Sequence, residues 1–420
     1  MLLALTFILS GYVKAVDPLG TQYKLNDYLS VWHLRDFVPD ILILGASVAQ
    51  SALEFIIGIC LLFAIHRRIV SKLTLVIMAV MTALTLWLAL ANPISDCGCF
   101  GDALVLTNWQ TFWKNVALLA AALILWRWPK DMTRIISLSN QWIVFNYSTV
   151  FILLTALWCL YDLPLFDFRP YHIGANIKQG MEIPEGAPQP QFETTFILEK
   201  DGERREFTAD NYPDSTWTFI DSKTVQTAEG YTPPIHDFSI VTEEGEDITE
   251  EVLTREGYVF LLISPHLENA DDSQLDELNQ IYEYSMQHGY PFYCLTASTG
   301  KAITHWQEMT GAEYPFCATD EITLKTIVRS NPGLLLLQKG TIIRKWSHNN
   351  LPVIEEANVS LPLAKQPFGQ MPSDSVPGKI AQILLWFVLP LLLLTIADRL
   401  WAWSKWMRNV ERGRWKENSE

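Results

Sequence analysis

The stretch that decides how this chain is organised is Ser95 to Asp102, "SDCGCFGD". It places two cysteines one residue apart, between apolar runs long enough to cross a membrane. Such runs predict a helical membrane part. The cysteine pair predicts thiol chemistry at its surface.

Apolar segments recur through the first 161 residues and once near the end of the chain. The predicted spans are 2–16, 41–65, 73–91, 112–126, 142–161 and 380–397. The first run has no basic n-region and no small-residue cleavage site, so we interpret it as a membrane helix and not as a removed signal peptide. Because it is shorter than a full span, we expect the natural helix to begin upstream of Met1.

Basic residues mark one side of the membrane in this prediction. They are Arg67, Arg68, Lys72, Arg127, Lys130, Arg134, Arg399, Lys405, Arg408, Arg412, Arg414 and Lys416. Cytoplasmic loops carry an excess of Lys and Arg, so six helices with both termini in the cytoplasm bring all of these residues to one side. The sequence therefore predicts a multi-pass protein of the bacterial inner membrane. The loop 17–40, the cysteine loop and residues 162–378 are expected in the periplasm.

Charge is segregated along the chain. The formal net charge is -15, and 34 of the 46 acidic residues lie between Asp162 and Asp374, against 14 Lys and Arg. An acidic, water-facing segment of this kind argues against nucleic acid as a partner. The expected partners are membrane lipid and a periplasmic client or redox protein.

The spacing of Cys97 and Cys99 suits an exchanging disulfide. A bridge between residues i and i+2 closes a small ring, which requires a backbone bend that Gly98 permits. A strained bridge is easily reduced, and the periplasm is an oxidising compartment. The neighbouring Asp96 and Asp102 are expected to raise the thiol pKa values, so the sequence offers no obvious stabilisation of a thiolate.

Other interpretations of the pair stay open at this point. Either cysteine can bridge to another thiol, for example Cys159, as a structural clamp. A soft metal is a further alternative, but two ligands do not complete a zinc site and no histidine lies nearby in sequence, so we predict no metal site. Cys60 is interpreted as a small buried hydrophobic residue.

Three segments carry a family resemblance: "FILSGYVKAVDPLG" at 7–20, "SALEFIIGI" at 51–59 and "CGCFGD" at 97–102. Over roughly residues 1 to 160 the chain resembles the MauE/DoxX family of redox-associated membrane proteins. The resemblance implies a small helical bundle associated with thiol-disulfide chemistry. MauE members are linked to methylamine utilisation, through maturation of a disulfide-rich dehydrogenase subunit. The matching motif residues are Cys97, Gly98, Cys99, Phe100 and Gly101, followed by Asp102.

Two ionisable residues lie within the predicted bundle. Glu54 stands in the middle of an apolar run, where a charge is costly and indicates function by default. Lys14 lies near the outer end of the first helix and can pair with it. The sequence leaves two roles open for these residues, a structural lock and a proton relay beside the cysteine pair.

Residues 162–233 are predicted to be a linker with a small hairpin around "KDGE", because Asp-Gly between two β-rich runs is a strong turn signal. Residues 234–352 then alternate strands and helices, an α/β layout. This order resembles the thioredoxin-like fold with an added N-terminal hairpin, as in membrane-tethered periplasmic thioredoxins. The resemblance implies that Pro332, in "SNPG", is a cis-proline.

The thioredoxin-like part departs from its family at the active site. Where the family has CxxC at a helix start, this chain has "SPHLEN", Ser264 to Asn269, without a cysteine. Thiol exchange cannot run at that position. Cys294 is interpreted as an inert core residue, and Cys317 as a possible partner thiol for the membrane pair.

The complete prediction is an α-helical transmembrane bundle (1–161) joined to an α/β thioredoxin-like extracytoplasmic domain (234–352). A second linker (353–378), a sixth transmembrane helix (379–398) and a basic cytoplasmic tail (399–420) follow. Two functions compete. In the first, Cys97 and Cys99 pass electrons between a client and a membrane carrier such as a quinone, as a thiol-disulfide oxidoreductase. In the second, the chain is a membrane-anchored binding or assembly module. A transporter is a third option, supported by little beyond helix count and Glu54.

Overall fold

The computed structural model describes residues 1–94, 96–188, 191–200, 203–208, 218–228, 230–355, 358–372 and 376–417. Side chains are described outside 189–229 and 409–420. The chain comprises a helical part, a mixed α/β domain and a long C-terminal helix, which confirms the predicted fold class.

Six helices form the N-terminal part. They are α1 (Leu2–Val16), α2 (Pro18–Val31), α3 (Asp40–Phe63), α4 (Arg67–Ala91), α5 (Asn108–Arg127) and α6 (Gln141–Tyr161). Among the described residues, α3, α4, α6 and Val376–Arg408 are long and apolar enough to cross a membrane. A fifth candidate is the pair α1 and α2, which is bent by 97°. Helix α5 does not reach this combination of length and hydropathy, but it packs along α4 and joins the cysteine loop to the basic segment at 127–134.

The segment 17–40, predicted as a loop, contains helix α2. Asp17 is its N-cap and accepts a hydrogen bond of 2.9 Å from the backbone N–H of Gly20. Pro18 follows at the first helical position, where its missing N–H costs nothing. The Asp-Pro pair is a helix start signal that length and hydropathy alone do not reveal.

Helices α1 and α3 pack closely at two glycines. A Cβ atom added to Gly11 would lie 2.4 Å from the backbone nitrogen of Phe55 and 2.7 Å from the carbonyl oxygen of Ser51. One added to Gly58 would lie 2.6 Å from the backbone nitrogen of Ile8. Small residues allow helix backbones to approach in this way inside a membrane.

We expect Gly11→Ala to destabilise the bundle by about 1 to 3 kcal/mol, because the new methyl group meets backbone that cannot rotate away. The matched control is Gly45→Ala on α3, where an added Cβ has no neighbour within 4 Å. That substitution should be neutral or stabilising. Thermal unfolding of both variants in detergent measures the difference, and equal midpoints would contradict the close crossing.

The α/β domain follows the bundle. Its elements are α7 (Ile177–Met181), β1 (Gln191–Lys200), β2 (Glu203–Thr208), β3 (Thr218–Ala228), β4 (Val241–Thr242), α8 (Thr249–Thr254), β5 (Tyr258–Ser264), α9 (Leu275–Gln287), β6 (Phe292–Thr296), α10 (Gly300–Thr310), β7 (Phe316–Ala318), α11 (Glu321–Ile327), β8 (Gly333–Gln338) and β9 (Thr341–Ser347). Strands β1, β2 and β3 form a separate three-stranded sheet of order β2-β1-β3, in which β1 and β2 pair antiparallel on either side of the predicted Asp-Gly turn. Residues 201 and 202 of that turn lie outside the described residues.

A six-stranded sheet of order β4-β7-β6-β5-β8-β9 organises this domain. Strands β5, β6 and β7 are parallel, whereas β8 and β9 run antiparallel to their neighbours. The order β6-β5-β8-β9, with α9 between the two parallel strands, is the thioredoxin-like arrangement. The Asn331–Pro332 peptide bond, just before β8, is cis. Apolar clusters cover both faces of the sheet.

Parts of both predicted linkers belong to this domain's core. Tyr171 and Ile177 are 4% and 0% exposed and pack with the apolar cluster on one face of the sheet. Leu363, from the segment 353–378, is buried against the other face. The high content of proline and charge concealed these few apolar residues, whose partners lie far away in sequence.

The C-terminal segment continues as helix well beyond the predicted span. It consists of α12 (Val376–Ile383), a π-helical turn (Leu384–Val388) and α13 (Leu389–Glu417). Phe387 packs on Phe151 of α6, with ring centroids 4.3 Å apart. Near the other end, Asp398 accepts a hydrogen bond of 2.9 Å from the backbone N–H of Ser137. The basic segments around residues 67, 130 and 399 therefore meet at one end of the bundle, since Arg67 also donates to the carbonyl oxygen of Lys130.

Candidate functional site

The two cysteines of the "CGCFGD" loop (97–102) face each other between α4 and α5. Their Sγ atoms lie 2.7 Å apart. Gly98 adopts a φ of +67°, a conformation that residues with a Cβ rarely adopt, and this bends the backbone as the spacing predicts. Tyr28 of α2 donates a hydrogen bond of 3.1 Å to the carbonyl oxygen of Cys97. The loop is therefore shaped so that the two sulfur atoms can react with each other.

The two thiols differ in their electrostatics. The hydrogen bond from Cys97 lowers the pKa of Cys99 to about 7, against the opposing effect of burial and with help from the charges of Lys114 and Lys14. The same hydrogen bond, together with burial, raises the pKa of Cys97. Cys97 is 8% exposed, whereas Cys99 is only half-buried. Cys99 is accordingly the better nucleophile of the pair.

The expectation that Asp96 and Asp102 raise both thiol pKa values is wrong for Cys99. Lys24 of α2 forms an ion pair of 2.6 Å with Asp96. Nη2 of Arg329 lies 3.3 Å from Oδ2 of Asp102. These cations come from distant parts of the chain and offset the acids that flank the motif.

Lys14 and Glu54 form an ion pair of 2.6 Å beside the loop. Ser10 Oγ lies 2.7 Å from both Glu54 Oε2 and the carbonyl oxygen of Cys99, and its single proton serves one of them at a time. The Lys14–Glu54 ion pair thus contacts the cysteine loop through the hydroxyl group of Ser10. Both predicted ionisable residues lie at the site, where the charge of Lys14 lowers the pKa of Cys99 and that of Glu54 opposes it.

Lys114 and Ser10 belong to the site, although sequence reasoning did not select them. Both line a small cavity of about 50 Å³ beside Cys99, together with Lys14 and Glu54. The ammonium group of Lys114 lies 4.4 Å from the ring centroid of Phe100. Apart from Arg127 at the last position, Lys114 is the one charged residue of α5, and that was the signal that could have identified it.

Arg329 joins the thioredoxin-like domain to the bundle. Its Nη2 lies 2.8 Å from Asp17 Oδ2 and its Nε lies 3.0 Å from Asp17 Oδ1, a bidentate contact. The guanidinium also lies 5.1 Å from the ring centroid of Tyr23. Arg329 is buried and precedes the cis-proline by three residues, so the cis-proline loop is held against the cysteine loop through Asp17 and Asp102.

A cavity of about 610 Å³ lies at this junction. Its lining combines Gly98, Gly101 and Asp102 of the cysteine loop with apolar and charged side chains from α1, α2, α11 and the segment 164–170. Phe166, Phe168 and Ile322 contribute apolar surface, while Lys325 and Arg329 contribute positive charge. The cavity is large enough for a side chain or two of a polypeptide.

The position of the usual thioredoxin cysteines is filled by a hydrogen-bonded network. His266 Nε2 lies 3.0 Å from Glu321 Oε1. Asn331 donates to the carbonyl oxygen of His266 and accepts from Ser264 Oγ. The polar groups here bond to one another, and the segment carries no sulfur, so the domain contributes no thiol of its own at this turn.

Neither of the two possible partner thiols is bonded to the pair. Cys159 is buried on α6, and Cys317 is buried on β7. Both are free, as are Cys60 and Cys294. Burial raises the pKa of Cys317 to about 11, with Glu243 and Glu244 adding to the shift. Cys294 and Cys317 lie in the apolar clusters on opposite faces of the sheet, so their side chains point apart.

No group of three His, Cys, Asp or Glu residues in the described part of the chain could hold a metal ion. Cys97 and Cys99 therefore have no third metal ligand among the described residues.

Comparison with known proteins finds family models that match parts of this chain. Residues 1–127 match the model of the methylamine utilisation protein MauE, and residues 192–229 match a domain of unknown function (DUF8463). No curated protein matches the chain.

Two solved structures resemble the second domain. One is described as a protein disulfide isomerase, from Bacteroides thetaiotaomicron, with 18% identity and a TM-score of 0.23, covering 30% of this chain and 80% of that chain. The other is the bacterioferritin comigratory protein of Xanthomonas campestris, with 11% identity and a TM-score of 0.21, covering 29% and 83%. The thioredoxin-like assignment depends on the strand order described above and not on these scores.

Proposed function

We propose that this chain, a membrane protein with a MauE-type helical part and a thioredoxin-like domain, is a thiol-disulfide oxidoreductase whose Cys97 and Cys99 exchange two electrons with a client protein. The observation that carries the proposal is the contact of 2.7 Å between two thiols of which one, Cys99, has a pKa lowered to about 7. A thiolate near neutral pH is the form that attacks a disulfide.

The exchange proceeds through one mixed disulfide. The Cys99 thiolate attacks a sulfur of a client disulfide, forms the Cys99–client bond and releases the second client sulfur as a thiolate, which takes a proton. Cys97 gives up its proton and attacks Cys99 Sγ, which forms the Cys97–Cys99 disulfide and releases the client as a dithiol. Two electrons pass to the client, and the reverse sequence oxidises a client dithiol through the same intermediate.

The thioredoxin-like domain has the role of a client-binding cap in this proposal. It lacks the CxxC cysteines of its fold but covers the redox loop and forms part of the cavity of about 610 Å³ beside Gly98 and Asp102. A client segment bound there would lie next to the reactive pair. This combines the two competing functions, since binding comes from one domain and exchange from the other.

The location and the biological context are part of the same proposal. The basic segments meet at one end of the bundle, and the positive-inside rule assigns that end to the cytoplasm. The cysteine loop then faces the oxidising periplasm of the bacterial inner membrane. Maturation of disulfide-containing periplasmic proteins, including those of methylamine utilisation, is the process we propose for it.

A quinone as membrane carrier fits the cavity beside Cys99 poorly. At about 50 Å³ the cavity has room for a few waters and not for a quinone ring. No step is therefore assigned to a quinone here. The carrier we propose is a membrane or protein redox partner that reaches the loop from outside this cavity.

Trapping of the client tests the proposal. In Cys97→Ser the mixed disulfide at Cys99 cannot be resolved, so we expect client proteins to accumulate as covalent adducts that a reductant releases. Mass spectrometry of the purified membrane protein identifies the adducts and the bridged cysteine. Cys60→Ser is the matched control, because Cys60 is buried in α3, and it should trap nothing.

Redox titration of the unmodified protein provides the second readout. In glutathione buffers of increasing potential, Cys97 and Cys99 should lose their free thiols together while Cys294 stays free, as acid quenching and maleimide labelling would reveal. A pair that stays reduced or oxidised at every potential would refute exchange. The competing hypothesis, a membrane-anchored binding or assembly module, would then be the one that remains.

A further inference from the structure

A second large cavity, of about 870 Å³, lies at the end of the bundle where the basic segments meet. It is bounded by the first turns of α4 and α6 and by the segment 129–138. Helix α4 begins at this cavity and ends just before the cysteine loop, so the two sites are separated by the length of 25 residues, roughly 37 Å. The cavity is therefore independent of the redox site.

The lining of this cavity is strongly basic. It includes Arg67, Arg68, Lys130 and Arg134, and it contains no aspartate or glutamate. Throughout the described chain, none of these four residues forms an ion pair with a carboxylate. Arg67 donates to two carbonyl oxygens of the loop, those of Lys130 and Met132, at 2.7 and 2.8 Å. This fixes the loop and leaves four positive charges around one space.

A buried donor without a partner faces the same space. Gln141 lines the cavity and is only 6% exposed, yet its Nε2 makes no hydrogen bond in the described structure. Leaving a buried amide N–H unpaired costs about 1 to 3 kcal/mol, so such a group marks a missing acceptor. The side chains that line the cavity with Gln141 include four cations. An anionic acceptor would therefore pair with the Gln141 amide and with these positive charges.

The backbone favours an anion as well. Arg67 and Gln141 each stand at the first position of a long helix, α4 and α6. Neither N-cap residue, His66 or Asn140, makes a side-chain capping bond in the described structure. The positive ends of two helix dipoles thus lie at one cavity.

Apolar side chains complete the lining on the outer rim. Leu138, Trp142 and Phe145 are 65%, 63% and 40% exposed and line the cavity beside the basic groups. A tryptophan at a helix end is typical of the membrane interface. An occupant should therefore carry both an anionic group and an apolar chain.

We propose that this cavity binds the phosphate headgroup of an anionic phospholipid such as phosphatidylglycerol. Arg67, Arg68 and Arg134 neutralise the phosphate and the Gln141 amide donates to one of its oxygens. The rim of Leu138, Trp142 and Phe145 contacts the acyl chains. Basic pockets between membrane helices bind anionic headgroups by this combination of charge and apolar surface.

Lipid titration followed by native mass spectrometry tests the proposal on the full-length protein in detergent. Phosphatidylglycerol should bind at least tenfold more tightly than phosphatidylcholine with the same acyl chains. In the double variant Arg68→Gln, Arg134→Gln, affinity for phosphatidylglycerol should fall roughly 30-fold, because each basic residue near a headgroup contributes about fivefold. Binding of phosphatidylcholine should not change.

Two further variants separate a built site from diffuse charge. Lys405→Gln, Arg408→Gln removes two exposed charges from α13 and should leave the affinity unchanged. Gln141→Glu is nearly isosteric. It should weaken the binding of phosphatidylglycerol more than that of phosphatidylcholine, because the new carboxylate repels the anionic headgroup.

Three results would each overturn the proposal. One is equal affinity for the two lipids. Another is an equal loss of affinity in the Lys405→Gln, Arg408→Gln variant. The third is displacement of phosphatidylglycerol by inorganic phosphate at millimolar concentration, since the site would then bind free phosphate and not lipid.

Discussion

Cys97→Ala is expected to shift the pH midpoint of Cys99 alkylation upward from about 7 towards the ordinary thiol value of 9.0. The hydrogen bond from Cys97 is the largest cause of the lowered pKa, and alanine cannot donate it. At pH 7 the thiolate fraction would fall roughly 50-fold. Iodoacetamide labelling across a pH series, with mass mapping of Cys99, gives the midpoint directly.

The midpoint, and not the rate at a single pH, is the appropriate readout. A thiolate of higher pKa is intrinsically more nucleophilic, which offsets part of the loss in rate. Cys97→Ser is the matched control, because its hydroxyl group can still donate to the Cys99 sulfur and should keep the midpoint closer to 7. If alanine and serine at position 97 both left the midpoint unchanged, the hydrogen bond between the thiols would not control Cys99.

Arg329→Met is expected to lower the free energy of unfolding by about 3 kcal/mol, because it leaves the Asp17 carboxylate without its cation at a buried interface. It also removes the contact with Asp102 and so loosens the cap over the cysteine loop. We expect Cys99 to be alkylated faster in this variant. Thermal unfolding in detergent and the labelling rate measure the two effects separately.

Three companion variants make this prediction specific. Arg329→Lys keeps the charge but loses the bidentate geometry, so it should fall between the parent and Arg329→Met. Asp17→Asn added to Arg329→Met should recover part of the stability, since the unpaired charge is gone. Lys339→Met breaks the exposed pair with Glu256 on the same domain and should change stability by less than about 1 kcal/mol. Equal effects of Arg329→Met and Lys339→Met would contradict a stabilising role of the Arg329–Asp17 contact.

The sequence predicted the two-part architecture because its signals are local. Long apolar runs mark membrane helices whatever they pack against, and alternating strand and helix patterns mark an α/β domain. The same kind of signal failed where a few residues decide the structure. Helix α2 depends on the Asp17–Pro18 start, and the burial of Tyr171 and Ile177 depends on a sheet formed more than 60 residues later.

For the site, the sequence by itself determined where the two thiols lie, that Gly98 allows them to meet, and that the second domain lacks the cysteines of its fold. The hydrogen bond between the two thiols is local, whereas tertiary structure decided the burial and the charges of Lys14 and Lys114 that act on Cys99. Lys14 reaches Glu54 across 40 residues, Lys24 reaches Asp96 across 72, and Arg329 reaches Asp102 across 227. The pKa of a thiol depends on charges within a few ångströms. Which charges come that close is set by how helices and domains pack, and residue order along the chain does not encode it locally.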